Sequence, residues 1–134
     1  MQRKGLKRVP VLAVMGLTLA CASAPRLQAP TNVALLINGD DGETGRFATE
    51  LRKSLERSRN YTIVDRNPGI IIEISHNITW VTDRIFSADV VFKLPDNSIL
   101  GQSSRRCRGN MMTQCASSFI VDLNTLIRRR NRAS

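Results

Sequence analysis

The spacing of hydrophobic positions along this chain changes several times, and each change marks an element. Val33-Ala34-Leu35-Leu36-Ile37 is a short unbroken apolar run closed by Asn38-Gly39, which predicts a strand buried on both faces. Gly39 to Gly45 is a turn rich in helix-capping residues. Phe47, Ala48, Leu51 and Leu55 then recur at helical spacing, with charged residues between them, predicting a helix from about Thr44 to Ser58. Tyr61-Thr62-Ile63-Val64 reads as a second strand and Asp65 to Gly69 as a turn. From Ile70 to Val81 the period is two: Ile70, Ile72, Ile74, His76, Ile78 and Trp80 share one face. That predicts one long strand, with Thr82-Asp83-Arg84 as the hairpin loop that follows it. Phe86, Ala88, Val90, Phe92 and Leu94 face inward on the next strand, and Pro95-Asp96-Asn97 turns the chain again. Ser98 to Arg106 is a weaker strand, polar on both faces past Leu100, and reads as an edge whose arginines discourage further pairing. Met112, Cys115, Ala116, Phe119, Ile120, Leu123, Leu126 and Ile127 form a broad helical stripe, predicting a helix from about Thr113 to Arg130.

The order is therefore β-α-β-β-β-β-α. It predicts an α+β fold: a two-layer sandwich with a mostly antiparallel sheet of four to five strands and both helices on one face.

The N-terminal segment follows a different rule. Val9 to Ala20 is apolar apart from Thr18, and Arg3, Lys4, Lys7 and Arg8 precede it with no acid among them. A membrane span needs roughly 20 apolar residues, so this shorter run reads as the core of an export signal. Its end, Leu17-Thr18-Leu19-Ala20-Cys21, resembles the lipobox of bacterial lipoproteins. The resemblance implies that Cys21 becomes the first mature residue. It would carry a thioether-linked diacylglycerol and an amide-linked acyl chain such as palmitate. Ala22 follows the cysteine where an Asp would mark inner-membrane retention, so the family pattern implies the outer membrane. An ordinary secretory signal cut after Ala20 or Ala24, leaving Cys21 free, is the alternative. On the lipobox reading residues 1–20 are the signal peptide and 21–32 the lipidated cysteine with a Pro-containing tether. Residues 33–130 are one α+β domain and 131–134 a basic tail.

Three cysteines are an odd number for an exported chain. With Cys21 acylated, Cys107 and Cys115 remain as a pair, and an oxidising compartment favours a disulfide between them. Two thiols and the chain's single histidine make a poor zinc set, so no metal and no cofactor is expected.

Charge sharpens the picture. The whole chain carries a formal +9, with 20 bases and 11 acids. Four bases leave with the signal, so the mature chain stands at +5. From Arg105 to Arg132 there are seven Arg and one acid, whereas Ala22 to Ser104 is close to neutral. The candidate anion-binding residues are thus Arg105, Arg106 and Arg108 before the last helix, and Arg128, Arg129, Arg130 and Arg132 at its end. Arginine binds phosphate and carboxylate bidentately. An 18-residue helix is about 27 Å long, so the two groups are expected at opposite ends. Lipopolysaccharide, phospholipid and peptidoglycan are the anionic lipids and glycans on offer, and a solvated helix end is the plain alternative. Nucleic acid is excluded by location and by the lack of aromatics for base stacking.

Catalytic signals are weak. A hydrolase triad needs a histidine, and His76 is placed by alternation on an apolar face, as a structural residue. Asp40, Asp41 and Glu43 lack the spacing of a calcium loop and are explained by turn chemistry. Gly39, Gly42 and Gly45 match no phosphate-loop pattern. A small envelope enzyme is therefore the third reading, behind the two binding readings.

Leu51-Arg52-Lys53-Ser54-Leu55-Glu56, Tyr61-Thr62-Ile63-Val64-Asp65-Arg66 and Ser87-Ala88-Asp89-Val90-Val91-Phe92-Lys93-Leu94 together form a pattern. It is similar to the small α+β domain of envelope lipoproteins and their relatives. These are the curli-secretion type, the activators of penicillin-binding proteins, the N-terminal domain of the Tol-type beta-propeller proteins, and the lipopolysaccharide-assembly lipoproteins. The resemblance implies a non-enzymatic accessory or assembly module that binds a larger envelope protein. The chain lacks a pore-forming insertion and a long tether of the activator type, so neither specific activity is implied and no functional residue is transferred.

Overall fold

A computed structural model describes residues 29–133. The signal peptide, Cys21 and most of the tether read from the sequence lie outside the described residues.

Strand β1 (Thr31–Ile37) carries the first apolar run, but it is not buried on both faces as expected. Val33 is buried, whereas Leu36 and Ile37 are exposed because the helices cover only one side of the sheet. Helix α1 (Gly42–Arg57) follows, starting two residues before the expected Thr44. Asp41 is its N-cap, and its carboxylate accepts from the Thr44 N–H at 2.7 Å, satisfying a donor that the helix itself leaves open. This bond pulls the Asp41 carboxyl below the usual range. Glu43 in the first turn suits the helix dipole. β2 (Tyr61–Ile63) and β3 (Ile70–Ile74) both lie parallel to β1, one on each edge. β5 (Ile85–Lys93) runs antiparallel to β3, and β6 (Ile99–Arg108) antiparallel to β5. The sheet is thus mixed, with β1 the source of the parallel pairings.

The expected single strand from Ile70 to Val81 is interrupted. A short β4 (Thr79–Trp80) pairs with the opposite end of β5, on the antiparallel side that β3 also uses, so the two pieces share one lane. The break has a side-chain cause. The Asn77 carboxamide oxygen accepts from the Asp40 and Asp41 N–H groups at 2.8 and 3.2 Å, and its NH2 donates to Asp40 at 2.9 Å. The Ile78 N–H goes to the buried Thr44 hydroxyl at 2.9 Å. Gly39 permits this approach, because a Cβ there would fall on the Asn77 amide and 2.7 Å from the Thr44 methyl. The break also moves His76. It does not lie on the apolar face; its side chain is 56% exposed and bonded to Asp89.

After a 3-10 turn (Gly109–Met111), helix α2 (Met112–Ala133) starts one residue before the expected Thr113 and runs past Arg130 through positions read as a tail. Both helices and the inward face of the sheet share one core. Phe47 of α1 meets Phe86 of β5 and Phe119 of α2 edge-on, at centroid distances of 6.1 and 5.6 Å. This is the expected α+β two-layer sandwich.

β6 is an edge, as expected, but its inward polar row has partners. Arg105 donates to Asp122 through Nε at 3.0 Å and Nη2 at 2.8 Å, and Ser103 donates to the same carboxylate at 2.6 Å. Cys107 is disulfide-bonded to Cys115, with Cα atoms 5.9 Å apart. Gly101 gives room to Leu126, whose methyls would lie within 2.8 Å of a Cβ there. A strand too polar for an ordinary core face is thus fastened to α2 by a salt bridge and a covalent bond.

Candidate functional site: the two poles of the sandwich

β1 begins at Thr31, beside Tyr61 of β2. Tyr61 donates its hydroxyl to Asn124 in the second half of α2, and burial pushes its pKa up to about 12. The entry of β1 and the ends of both helices therefore share one pole. A cavity of about 280 Å³ opens there, lined by Thr31, Arg59, Asn60, Tyr61, Asn124 and Arg128 among others. The start of α2 and the end of β6 lie at the other pole. There an open cleft of about 810 Å³ is lined by Trp80, Arg84, Arg108 and Gly109, with Glu43 and Arg46 from the first turns of α1.

The structure separates the seven candidate arginines. Arg105 is held by Asp122, whose carboxyl is drawn below its usual range, first by the hydrogen bond from Arg105. Its role is to fasten β6 to α2. Arg106 sits across from Ser87 on the sheet face away from the helices. Arg108 lies in the distal cleft. Arg128, Arg129, Arg130 and Arg132 close α2 at the other pole, about 24 to 30 Å from its start by helix rise. The expectation of two separate arginine groups is met, and the first group is itself divided.

The distal cleft was not expected from the sequence. Trp80 stays on the core-facing side, opposite Phe86, but at a rim where the helices have only begun, and 41% of it is exposed. Its indole meets Phe86 edge-on at 5.5 Å. Gly109 lies beneath the ring, where a Cβ would come within 2.8 Å of Cη2. The Gly109 N–H donates to the Arg84 carbonyl at 2.8 Å, and the Thr82 hydroxyl accepts from the Arg84 and Ile85 N–H groups at 3.1 Å. The hairpin loop and the 3-10 turn thus hold the indole in one place. Arg46 is paired with Glu43 at 3.1 Å, whereas no ion pair joins Arg84 or Arg108 to an acid among the described residues. Val81 and Met111, also exposed, flank the cleft in sequence.

On the open sheet face, His76 Nε2 lies 2.8 Å from Asp89 and Nδ1 2.9 Å from the Asn77 carbonyl. Two acceptors suit an imidazolium. The Asn77 carbonyl first, then Asp89, raises the His76 pKa against a smaller opposing effect of burial. A triad histidine needs a nitrogen facing the nucleophile, and both nitrogens here are already bonded. The neighbouring hollow contains Ser75, Gln102 and Ser104 but a single carboxylate. Nearby, Glu73 is 8% exposed and takes hydrogen bonds from Lys93 at 2.6 Å and Asn38 at 2.7 Å. Asp40, Asp41 and Glu43 are used by Asn77, the α1 cap and Arg46. Among the described residues, no group of three or more His, Cys, Asp or Glu is placed to hold a metal, and no helix is long and apolar enough to cross a membrane.

No protein-family model matches the chain, and no curated protein matches it in sequence. Its fold is similar to part of the crystal structure of TolB from Acinetobacter baumannii, with a TM-score of 0.57 and 13% sequence identity. The match covers 78% of this chain and 30% of that one, so the chain spans under a third of that protein. At this identity the likeness establishes the fold: an α+β sandwich shared with a Tol-type protein.

Proposed function

We propose that the chain is a non-catalytic outer-membrane lipoprotein, anchored through acylated Cys21, whose periplasm-facing domain is an accessory module for a larger envelope protein. The observation that carries this reading is the cleft around Trp80. A preorganised, partly exposed tryptophan flanked by unpaired arginines is the composition of a protein-binding hot spot, and its rigidity lowers the entropy cost of docking. The TolB-like fold agrees with the envelope resemblance drawn from the sequence. The doubly bonded His76 and the engagement of Asp40, Asp41 and Glu43 in turn, cap and ion-pair contacts support a binding role over a catalytic one. The alternative of anionic lipid or glycan binding applies to the opposite pole.

The test is photo-crosslinking in intact cells from Arg84 or Asn110, with Gln102 on the open sheet face as the control. One dominant envelope protein is expected from the cleft positions and not from Gln102. A saturating search that traps nothing, or traps the same species from all three positions, refutes the reading. Fatty-acid labelling checks the anchor: Cys21→Ser abolishes it, and persistent labelling overturns the assignment.

A further inference from the structure

We propose that the pole where β1 begins is a docking surface for a bilayer of anionic phospholipid, holding the Trp80 cleft away from the membrane. The proposal rests on the anchoring of Cys21. Seven residues separate Cys21 from Ala29, so the two lie at most about 28 Å apart. The tether joins the domain where β1 starts, so this pole is the one the anchored chain reaches first.

The surface suits that neighbour. Arg59 and Arg128 line the same cavity, and none of its lining residues is an acid. Neither forms an ion pair among the described residues, and the nearest partner of Arg128 is the Thr125 hydroxyl at 3.5 Å. Arg132 adds exposed charge on the last turn of α2, and Arg129 adds more from the neighbouring β6 side, beside Asp122. Asn60 and Asn124 supply amides beside the guanidinium groups. Guanidinium and amide donors around a shallow hollow without carboxylates match the oxygens of a phosphodiester headgroup. Both helices end at this pole, and each contributes only about half a negative charge, well below the positive charge of the arginines. The tether and the charge act together. The acyl chains hold the domain at the membrane, and the basic surface orients it there.

The orientation has a built-in reporter. Trp80 is the chain's only tryptophan and lies at the far pole, by the start of α2, which is about 24 Å from Arg128 by helix rise. The full acylated chain is reconstituted into phosphatidylcholine vesicles with and without phosphatidylglycerol, each doped with a dansyl-headgroup lipid. Energy transfer from Trp80 is expected to be low on phosphatidylglycerol, where the domain stands upright. It is expected to rise in pure phosphatidylcholine, at high salt, and in an Arg59→Ser/Arg128→Ser/Arg129→Ser variant. These three residues are exposed, so the variant keeps its core. Equal transfer in all four cases overturns the proposal.

Failure of the anchor reads differently. Mass spectrometry then finds no acyl chain, and the surface is judged by co-sedimentation of that protein with the same vesicles. Salt-sensitive binding to phosphatidylglycerol, weakened by roughly a hundredfold in the triple variant, supports the surface. Equal sedimentation with both lipids overturns it.

Discussion

Removing the Cys107–Cys115 bond is the sharpest perturbation of this fold. The two cysteines are eight positions apart and enclose the 3-10 turn and the first residues of α2. Chain entropy puts the stabilisation from so short a loop at about 2.5 kcal/mol. For the 105 described residues, an unfolding entropy of about 2.1 cal/mol/K per residue converts this to a drop in Tm of about 11 °C. The assay is thermal unfolding by circular dichroism of three samples: the oxidised protein, the same protein with reductant, and Cys107→Ala/Cys115→Ala. Cys115 is buried, so the variant also loses core contacts and is expected to melt slightly below the reduced protein. Because Arg108, Gly109 and Asn110 line the distal cleft, Trp80 fluorescence is expected to shift toward that of a more solvated indole in both reduced forms, before global unfolding. A Tm change of under about 3 °C on reduction, set against the drop expected from chain entropy, would refute the reasoning, since the Arg105–Asp122 bridge would then be holding β6 to α2 without help.

The open sheet face carries two opposite pH dependences. Glu73→Gln leaves the Lys93 charge without its partner and is expected to cost about 1–2 kcal/mol at neutral pH. Lys93, then Asn38, holds the Glu73 carboxyl below its ordinary value, against partial burial, so its stabilisation is full above pH 4.5 and is lost as pH falls through the folded value. Urea titrations are expected to show the wild-type advantage shrinking in acid, and a constant gap would exclude the assignment. His76→Asn works the other way. The folded His76 pKa is raised above 6.5, so its contribution is full below pH 6.5 and is lost as pH rises through the folded value. Solvent screening limits it to at most about 0.5 kcal/mol. The gap from wild type is expected to be wider at pH 6 than at pH 8.5, and the reverse order would contradict an imidazolium held by two acceptors.

What the sequence disclosed, and what it hid, follows from the range of each interaction. α1 and α2 were legible because burial of one face leaves a period in the chain itself, as in Phe47, Ala48, Leu51 and Leu55. β1 was legible as an unbroken apolar run, which located the strand but overstated its burial. The break between β3 and β4 was not, since Asn77 is drawn out of the ladder by N–H groups more than 35 positions away. The alternation that put His76 on the inner face assumed an unbroken strand. Trp80 was assigned to the correct side, but how far the helical layer reaches over it depends on where α1 and α2 begin in space. In β6 a usable signal was present. Ser103, Arg105 and Cys107 alternate on one face, and Cys115 and Asp122 lie seven residues apart on one side of the following helix. Polar residues on an inward face call for partners of that kind.

The placement of β1 bears on how the chain folds as it emerges. β1 is made first, yet both strands that cover its edges come later, and the second is complete only at Ile74. Until Ile63 both its edges are open with only α1 to shield it, and until Ile74 one edge stays open. Pairing between distant strands is slow, and unpaired edges of this kind nucleate aggregation. On a chain delivered N-terminus first, the period before Ile74 appears is the vulnerable one. A proline in place of Ile72, buried in a strand paired on both sides, would prolong that period and also destabilise the finished sheet.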